Sequence, residues 1–378
     1  NLKDIPFLSF WIICSYFFIN IIEDLYLDKK IKFKSLFFLS FLTAFLISIR
    51  VSGLIIFIQY FIGLITLFNF KKLNLNNIIS KNVSNIFISI FLFLIFVYIL
   101  NPITWHNPFE IINSLEWMSK YYHNTCTLTL GECMKALNLP SSYYFIWLFF
   151  KLPLIIILGI FLFPICENKI FNNKNILTRI YYLIFLITPL IIILIFILKS
   201  VAIYDEIRHV MFLVPLIFIT SLFNIYIFNK KLFYSLSFLT LIFFILENIA
   251  LKPYQYTWLN SFAKFTNIEK NFEIDYWGIS NKKLQKEIIK DFNTRDLDEN
   301  ICIFGDAYTK EFLSNTNFNC FKIYSETDAE TNRPFYAYKN VRNVKRSDPK
   351  DCELIFNEGY KYTFLKKKIS TGTLWFCD

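Results

Sequence analysis

The sequence predicts a mainly α-helical protein: a polytopic transmembrane helix bundle of about eight spans, with a small C-terminal α/β domain on the outer face. Three observations predict it. The 378 residues are 55% hydrophobic and 20% aromatic, and the mean hydropathy is +0.45. Ordinary globular domains are not this apolar, so much of the chain belongs in lipid. The apolar residues come in runs of membrane-spanning length, with Lys and Arg gathered in every second short loop. From about Leu251 onward the composition becomes that of a soluble domain.

The net charge of +10 would point to nucleic acid in a soluble protein. Here much of the basic charge lies in short loops between apolar runs, where it sets topology. A nucleic-acid partner is therefore excluded. The chain opens on Asn1 rather than Met, directly before an apolar run and without a charged region and cleavage site. The expectation is that an N-terminal part precedes it.

The first span is expected from about Ile5 to Ile22. Lys29, Lys30, Lys32 and Lys34 then mark the cytoplasmic side. The run from Ser35 to Phe70 would be roughly 54 Å long as one helix, against a hydrocarbon core of roughly 30 Å. It must turn back, and Arg50-Val51-Ser52-Gly53 is the place to turn. Lys71, Lys72 and Lys81 return the chain inside, and a fourth span runs from about Ile86 to Leu100. Residues 101–141 form a large outer loop that opens on Asn101-Pro102-Ile103-Thr104-Trp105-His106-Asn107-Pro108, turn chemistry with an interfacial aromatic. Phe109 to Tyr121 reads as an amphipathic helix lying in the membrane plane, with Phe109, Ile112, Leu115, Trp117 and Met118 toward lipid.

The fifth span is expected from about Tyr143 to Pro164 and the sixth from about Ile176 to Leu198, with Lys169, Lys174 and Arg179 inside. A seventh runs from about Val210 to Phe228, kinked by Pro215. Lys230 and Lys231 follow, and an eighth span ends near Ala250. Residues 1–250 thus form the bundle, and 251–378 an extracytoplasmic α/β domain. In that domain Ile301–Phe304, Phe321–Tyr324, Leu354–Phe356 and Tyr362–Leu365 read as strands, and Tyr308 to Leu313 as a short helix. The protein is placed in the cell (inner) membrane, multi-pass, with both chain ends outside.

Six of the eight cysteines fall in expected outer segments, which suits an oxidising compartment. Six cysteines allow 15 connectivities. The expected pairs are Cys126–Cys133, Cys302–Cys320 and Cys352–Cys377. No CxxC-type spacing supports a metal site, and a divalent cation is the one cofactor left open.

The stretch Ile203-Tyr204-Asp205-Glu206-Ile207-Arg208-His209 stands between two apolar runs. If Asp205 begins the next helix, Asp205, Arg208 and His209 share one face at i, i+3 and i+4. Free N–H groups and the positive dipole end at that terminus, with Arg208 and His209, would seat a phosphate. The competing reading has Arg208 snorkelling and Asp205 capping the helix. Tyr204 is counted as supporting the same seat. Arg50, ionisable in the middle of an apolar run, is a second phosphate ligand or a snorkelling turn residue. Lys199 neutralises phosphate from the same mouth or is a flank charge. His106 binds a headgroup or bonds backbone. Asp275 and Trp277 roof the site or anchor at the interface. No supporting context attaches to His123.

Several stretches in this order resemble polytopic glycosyltransferases of the GT-C superfamily, the relatives of dolichyl-phosphate-mannose protein mannosyltransferases and of the lipid A aminoarabinose transferase. They are Asn1-Leu2-Lys3-Asp4-Ile5-Pro6-Phe7, Ser48-Ile49-Arg50-Val51-Ser52-Gly53, and the Trp105-His106-Asn107-Pro108 loop leading to Leu139-Pro140. Tyr204-Asp205 with Arg208-His209 follows, then Pro253-Tyr254-Gln255-Tyr256 and Asp275-Tyr276-Trp277-Gly278. The resemblance implies an inverting enzyme that takes a sugar from a polyprenyl-phosphate carrier in the membrane lipid and passes it to a protein, lipid or glycan on the outer side. It implies a first-loop carboxylate as base and cationic groups on the leaving phosphate. That loop does not lie within this chain, so the base lies upstream or is replaced. Asp4 is the nearest carboxylate, either catalytic or a plain interfacial charge. Other readings are a glycan ligase, a flippase or transporter, and a non-catalytic anchor. The midplane, almost pure Phe, Ile and Leu, argues against transport.

Overall fold

The computed structural model describes residues 3–71, 75–120, 126–295, 297, 301–305, 320–323, 333–340, 348–363 and 367–378. It divides into two compact units, Asn1–Thr125 with Lys135–Ser237, and Cys126–Met134 with Phe238–Asp378. The second unit therefore begins within a helix, ahead of the compositional change near Leu251, and takes in part of the 101–141 loop.

The first unit is helical. In order come α1 (Asp4–Tyr26), α2 (Phe33–Ile49), α3 (Ile56–Phe70), α4 (Leu75–Leu100), α5 (Glu110–Lys120), α6 (Ser142–Lys151), α7 (Leu154–Phe161), α8 (Phe163–Phe171), α9 (Ile176–Leu198) and α10 (Val214–Phe228). The boundary between the units falls in α11 (Lys230–Ala250). Among the described residues, six helical stretches are long and apolar enough to cross a membrane, or seven if the bent pair α7–α8 is one span.

Eight spans are expected from sequence, and the difference has two sources. Helix α2 has 17 residues, about 26 Å at 1.5 Å per residue, slightly under the hydrocarbon thickness. The run Tyr143–Pro164 is not one helix. Pro153 has no N–H to give and holds Leu152 extended at ψ 138°, so α6 ends and α7 begins. A further bend of 61° separates α7 from α8. The turn at Arg50 forms as expected: Arg50 is extended and Val51–Ile55 makes a 3-10 turn into α3. Pro215, read as a kink, instead sits in the first turn of α10, where its missing N–H would have no partner anyway.

Phe18, Ile21, Ile22 and Leu25 of α1 pack with Leu36, Leu67, Ile180 and Ile184 from α2, α3 and α9. Helices α7 and α10 approach at Gly159, where a Cβ would stand 2.3 Å from the Ser221 carbonyl oxygen; only a residue without a side chain lets the two backbones meet. Phe109, Ile112, Trp117 and Met118 at α5 are exposed, while Ile111 is buried.

In the second unit a hairpin, β1 (Cys126–Thr129) and β2 (Glu132–Lys135), joins the segment around Phe272 through a Thr129–Phe272 bridge. Short helices α12 (Ser261–Lys264) and α13 (Ile268–Asn271) precede α14 (Ser280–Arg295). A five-stranded sheet follows, from β3 (Cys302–Gly305), β4 (Cys320–Ile323), β5 (Phe335–Asn340), β6 (Glu353–Tyr360) and β7 (Ile369–Cys377), in the order β4-β3-β5-β7-β6. The β4-β3-β5 pairs are parallel and the β5-β7-β6 pairs antiparallel. Leu284 and Ile288 of α14 pack on Ile303, Tyr336, Tyr338, Leu374 and Phe376.

Tyr362 and Thr363, read as a strand, lie in the connection after β6 instead; the Tyr362 hydroxyl donates to the Thr257 carbonyl and accepts from Leu259 N–H, which holds it there. Phe364–Leu365, the helix expected at Tyr308–Leu313, and His123 lie outside the described residues. Disulfides join Cys126 to Cys133, Cys302 to Cys320, and Cys352 to Cys377. Cys14 and Cys166 are free and buried.

Candidate functional site

Three helix boundaries of the first unit meet at one end of the bundle: the start of α1, the end of α2, and the 3-10 turn Arg208–Leu213 ahead of α10. Each brings an ionisable side chain. Asp4, in the first turn of α1, is 2% exposed. Its Oδ1 takes the Arg50 guanidinium, and its Oδ2 lies 3.6 Å from Arg208 Nε. The same Arg208 donates from Nη1 to Asp205 Oδ2 at 3.0 Å. Its guanidinium carbon stands 5.2 Å from the centre of the Tyr204 ring, and the Arg50 guanidinium carbon 6.0 Å from that of Phe7. The Tyr204 ring in turn meets His209 edge-on at 4.7 Å. His209 Nε2 is buried and has no hydrogen-bond partner among the described residues.

Asp205 does not begin a helix. It and Glu206 both have left-handed backbones, with φ of 56° and 66°. Two successive non-glycine residues there are uncommon and are stabilised only where the surroundings hold them. The i, i+3, i+4 helical face is thus not formed, and no helix-dipole seat at Asp205 exists. The Asp205–Arg208 pair forms nonetheless, across a turn.

Glu206 explains part of what holds that turn. Its Oε2 pairs with Lys151 Nζ at 2.5 Å, and its backbone oxygen accepts from the Tyr143 hydroxyl at 3.3 Å. Its Oε1 is buried with no hydrogen-bond partner among the described residues. Burial pushes the Glu206 carboxyl up to about 7, with Lys151 pulling it down and Asp205 adding to the rise. Lys151 is the last residue of α6, at the Pro153 break, with its side chain 8% exposed. Lys151, Glu206 and Tyr143 are absent from the sequence-derived site. The available signal was Lys151 itself, an ionisable residue inside an apolar run.

The structure therefore gathers Asp4, Arg50, Tyr204, Asp205, Arg208 and His209, and adds Lys151 and Glu206. It does not gather the rest. Lys199, at the C-terminus of α9, is exposed and makes no ion pair among the described residues. His106 is exposed in the turn after α4. Asp275 and Trp277 belong to the second unit. Asp275 accepts from Ile279 N–H, Ser280 N–H, the Ser280 hydroxyl and Tyr256, and so caps the start of α14. Burial raises the Asp275 pKa, and these donors, which favour the charged form, oppose the rise. Trp277 is 45% exposed beside Tyr276. Among the described residues, no group of three or more His, Cys, Asp or Glu side chains is placed to hold a metal ion, so the divalent cation left open by the sequence has no ligand set there.

Polar side chains also lie inside the helices. Gln59 accepts from Trp11 Nε1 at 2.8 Å and from the Ser15 hydroxyl, and donates back to Ser15. Asn224 donates to the Gly159 carbonyl and accepts from the Tyr182 hydroxyl, both at 2.9 Å. Both side chains are buried. No protein-family model, curated protein or solved structure matches this chain.

Proposed function

We propose that this chain is a membrane glycosyltransferase that moves a sugar from a polyprenyl-phosphate carrier to an acceptor on the extracytoplasmic side. The observation that carries this reading is the convergence of Arg50 and Arg208, from separate helix ends, with a buried His209 Nε2 that has no hydrogen-bond partner among the described residues. Two guanidiniums presented together suit an anion with several oxygens. An apolar bundle around them suits a lipid tail. The orientation follows the Lys/Arg bias of the short loops, which puts this end outside, and the three disulfides suit an oxidising compartment.

The chemistry follows from charge. The acceptor oxygen attacks the anomeric carbon, and the bond from that carbon to the phosphate oxygen breaks. The electron pair leaves with the phosphate, whose added negative charge the guanidiniums stabilise. The acceptor proton passes to a carboxylate, for which Asp4 is the candidate. The transporter reading looks for ionisable groups near the bilayer midplane; the polar side chains Gln59 and Asn224, inside the helices, are neutral and hydrogen-bonded between helices.

The test is carrier release from polyprenyl-phosphate sugars by the purified full chain. Arg208→Ala and Arg50→Ala should each lower kcat about a hundredfold. Transfer at the wild-type rate in both variants would overturn the reading.

A further inference from the structure

We infer that Asp4 is a built-in stand-in for the donor phosphate, holding the two guanidiniums until the lipid phosphate displaces it. This rests on the transferase reading above and adds a step to it. Asp4 is oriented as an incoming phosphate would be, one oxygen toward Arg50 and the other toward Arg208. The two arginines do not depend on Asp4 alone for their positions. Arg208 is also tied to Asp205 at 3.0 Å and lies over the Tyr204 ring, while Arg50 lies over Phe7. A carboxylate that leaves would thus uncover cations still aimed at the same place, which is what preorganised recognition of an anion requires.

Charge makes the exchange necessary. Lys151 and Glu206 form their own pair. Arg50 and Arg208 then carry two positive charges against Asp4 and Asp205. Among the described residues these four charges balance, and the Arg50 and Arg208 side chains are only 14% and 13% exposed. A phosphodiester brings one further negative charge. In so enclosed a place an unmatched charge is strongly unfavourable. The phosphate and an ionised Asp4 therefore compete for the same guanidiniums. Displacement also leaves Asp4 without its cations at the moment a base is needed, so donor binding switches it from placeholder to proton acceptor.

The experiment measures binding of a polyprenyl phosphate, without sugar, to the full chain in detergent. Asp4→Asn keeps the shape and removes the charge, so it should bind the lipid phosphate about tenfold or more tighter than wild type while failing to transfer sugar. Asp4→Glu keeps the charge and should not tighten binding. Asp4→Ala carries the same expectation as Asp4→Asn where the latter does not yield folded protein. Unchanged or weaker binding in the neutral variants, with Arg208→Ala still weakening it, would overturn the stand-in and leave the phosphate seat intact. Wild-type binding in Arg208→Ala and Arg50→Ala would overturn the seat itself. Inorganic phosphate, run beside the lipid, should bind more weakly; equal binding would overturn the lipid carrier as the ligand.

Discussion

Two buried polar groups in the same helical unit are built on opposite lines. Around Gln59, every partner is neutral, each lies on the regular helices α1 and α3, and donor meets acceptor in a closed set with Trp11 and Ser15. In the group around Asp4 the pairs are charged: Arg50 and Arg208, from two helix ends, meet Asp4, while Arg208 also pairs with Asp205 and Lys151 at the proline break pairs with Glu206, both carboxylates of the left-handed turn. The first group fastens two helices together, as hydrogen-bonded side chains do in membranes. The second holds full charges, strained backbone, and two buried atoms, His209 Nε2 and Glu206 Oε1, without hydrogen-bond partners among the described residues. Strained backbone and unsatisfied buried polarity each cost stability and persist only where the surroundings hold them.

The contrast breaks or holds first at Glu206→Gln. The change takes from the buried Lys151 ammonium the carboxylate that stands 2.5 Å away. Removing one member of a buried pair costs about 3–5 kcal/mol, because the remaining charge is uncompensated. Thermal unfolding in detergent should show that loss, and the Asp205-Glu206 turn should loosen so that donor binding weakens with it. Stability close to wild type would mean that Lys151 and Glu206 do not hold the turn.

Gln59→Leu should cost less, about 1 kcal/mol, since the group is neutral and membrane hydrogen bonds are modest contributors. Trp11 Nε1 loses its acceptor, so the loss should appear as a lower unfolding temperature. Carrier release per folded molecule should stay at the wild-type level. A fall in that rate comparable to Arg208→Ala would erase the distinction between the two groups.

Much of the fold is legible because its signals are one-dimensional. A twenty-residue apolar run needs no partner to be recognised, and α1, α3, α4, α9 and α10 follow from such runs. The turn at Arg50-Val51-Ser52-Gly53 follows from helix length alone. The paired cysteines of each disulfide are successive among the outer ones, so proximity along the chain identifies them. The losses are where three dimensions decide. Phe335–Asn340, at the centre of the five-stranded sheet, opens with four successive buried residues, so the alternation that marks a half-buried strand is missing. Arg50, Arg208 and Asp4 stand out as charges near apolar runs, but nothing local says that they meet. The Lys151–Glu206 pair is hidden further, because the sequence reads Tyr143 to Pro164 as one span with Lys151 inside it, whereas α6 ends at Lys151 before the break at Pro153. The left-handed pair Asp205-Glu206 has no glycine to announce it.

Lys199→Ala gives the smallest expected effect and sharpens the comparison from outside both groups. By charge and chain position Lys199 matches Arg208: each is a basic residue at the end of an apolar helix flanking the same short connection. The two differ in surroundings. Arg208 is held by two carboxylates and an aromatic face, whereas Lys199 is exposed, with no ion pair among the described residues. An ammonium on a flexible stem in solvent is screened and loses little when removed. Lys199→Ala should therefore change stability by less than about 0.5 kcal/mol and leave donor affinity within a factor of about two, far from the Arg208→Ala loss. Donor titration of the two variants side by side checks this. A Lys199→Ala loss as large as that of Arg208→Ala would mean that cationic charge at this end of the bundle, rather than its fixed placement by Asp4, Asp205 and Tyr204, is what attracts the carrier.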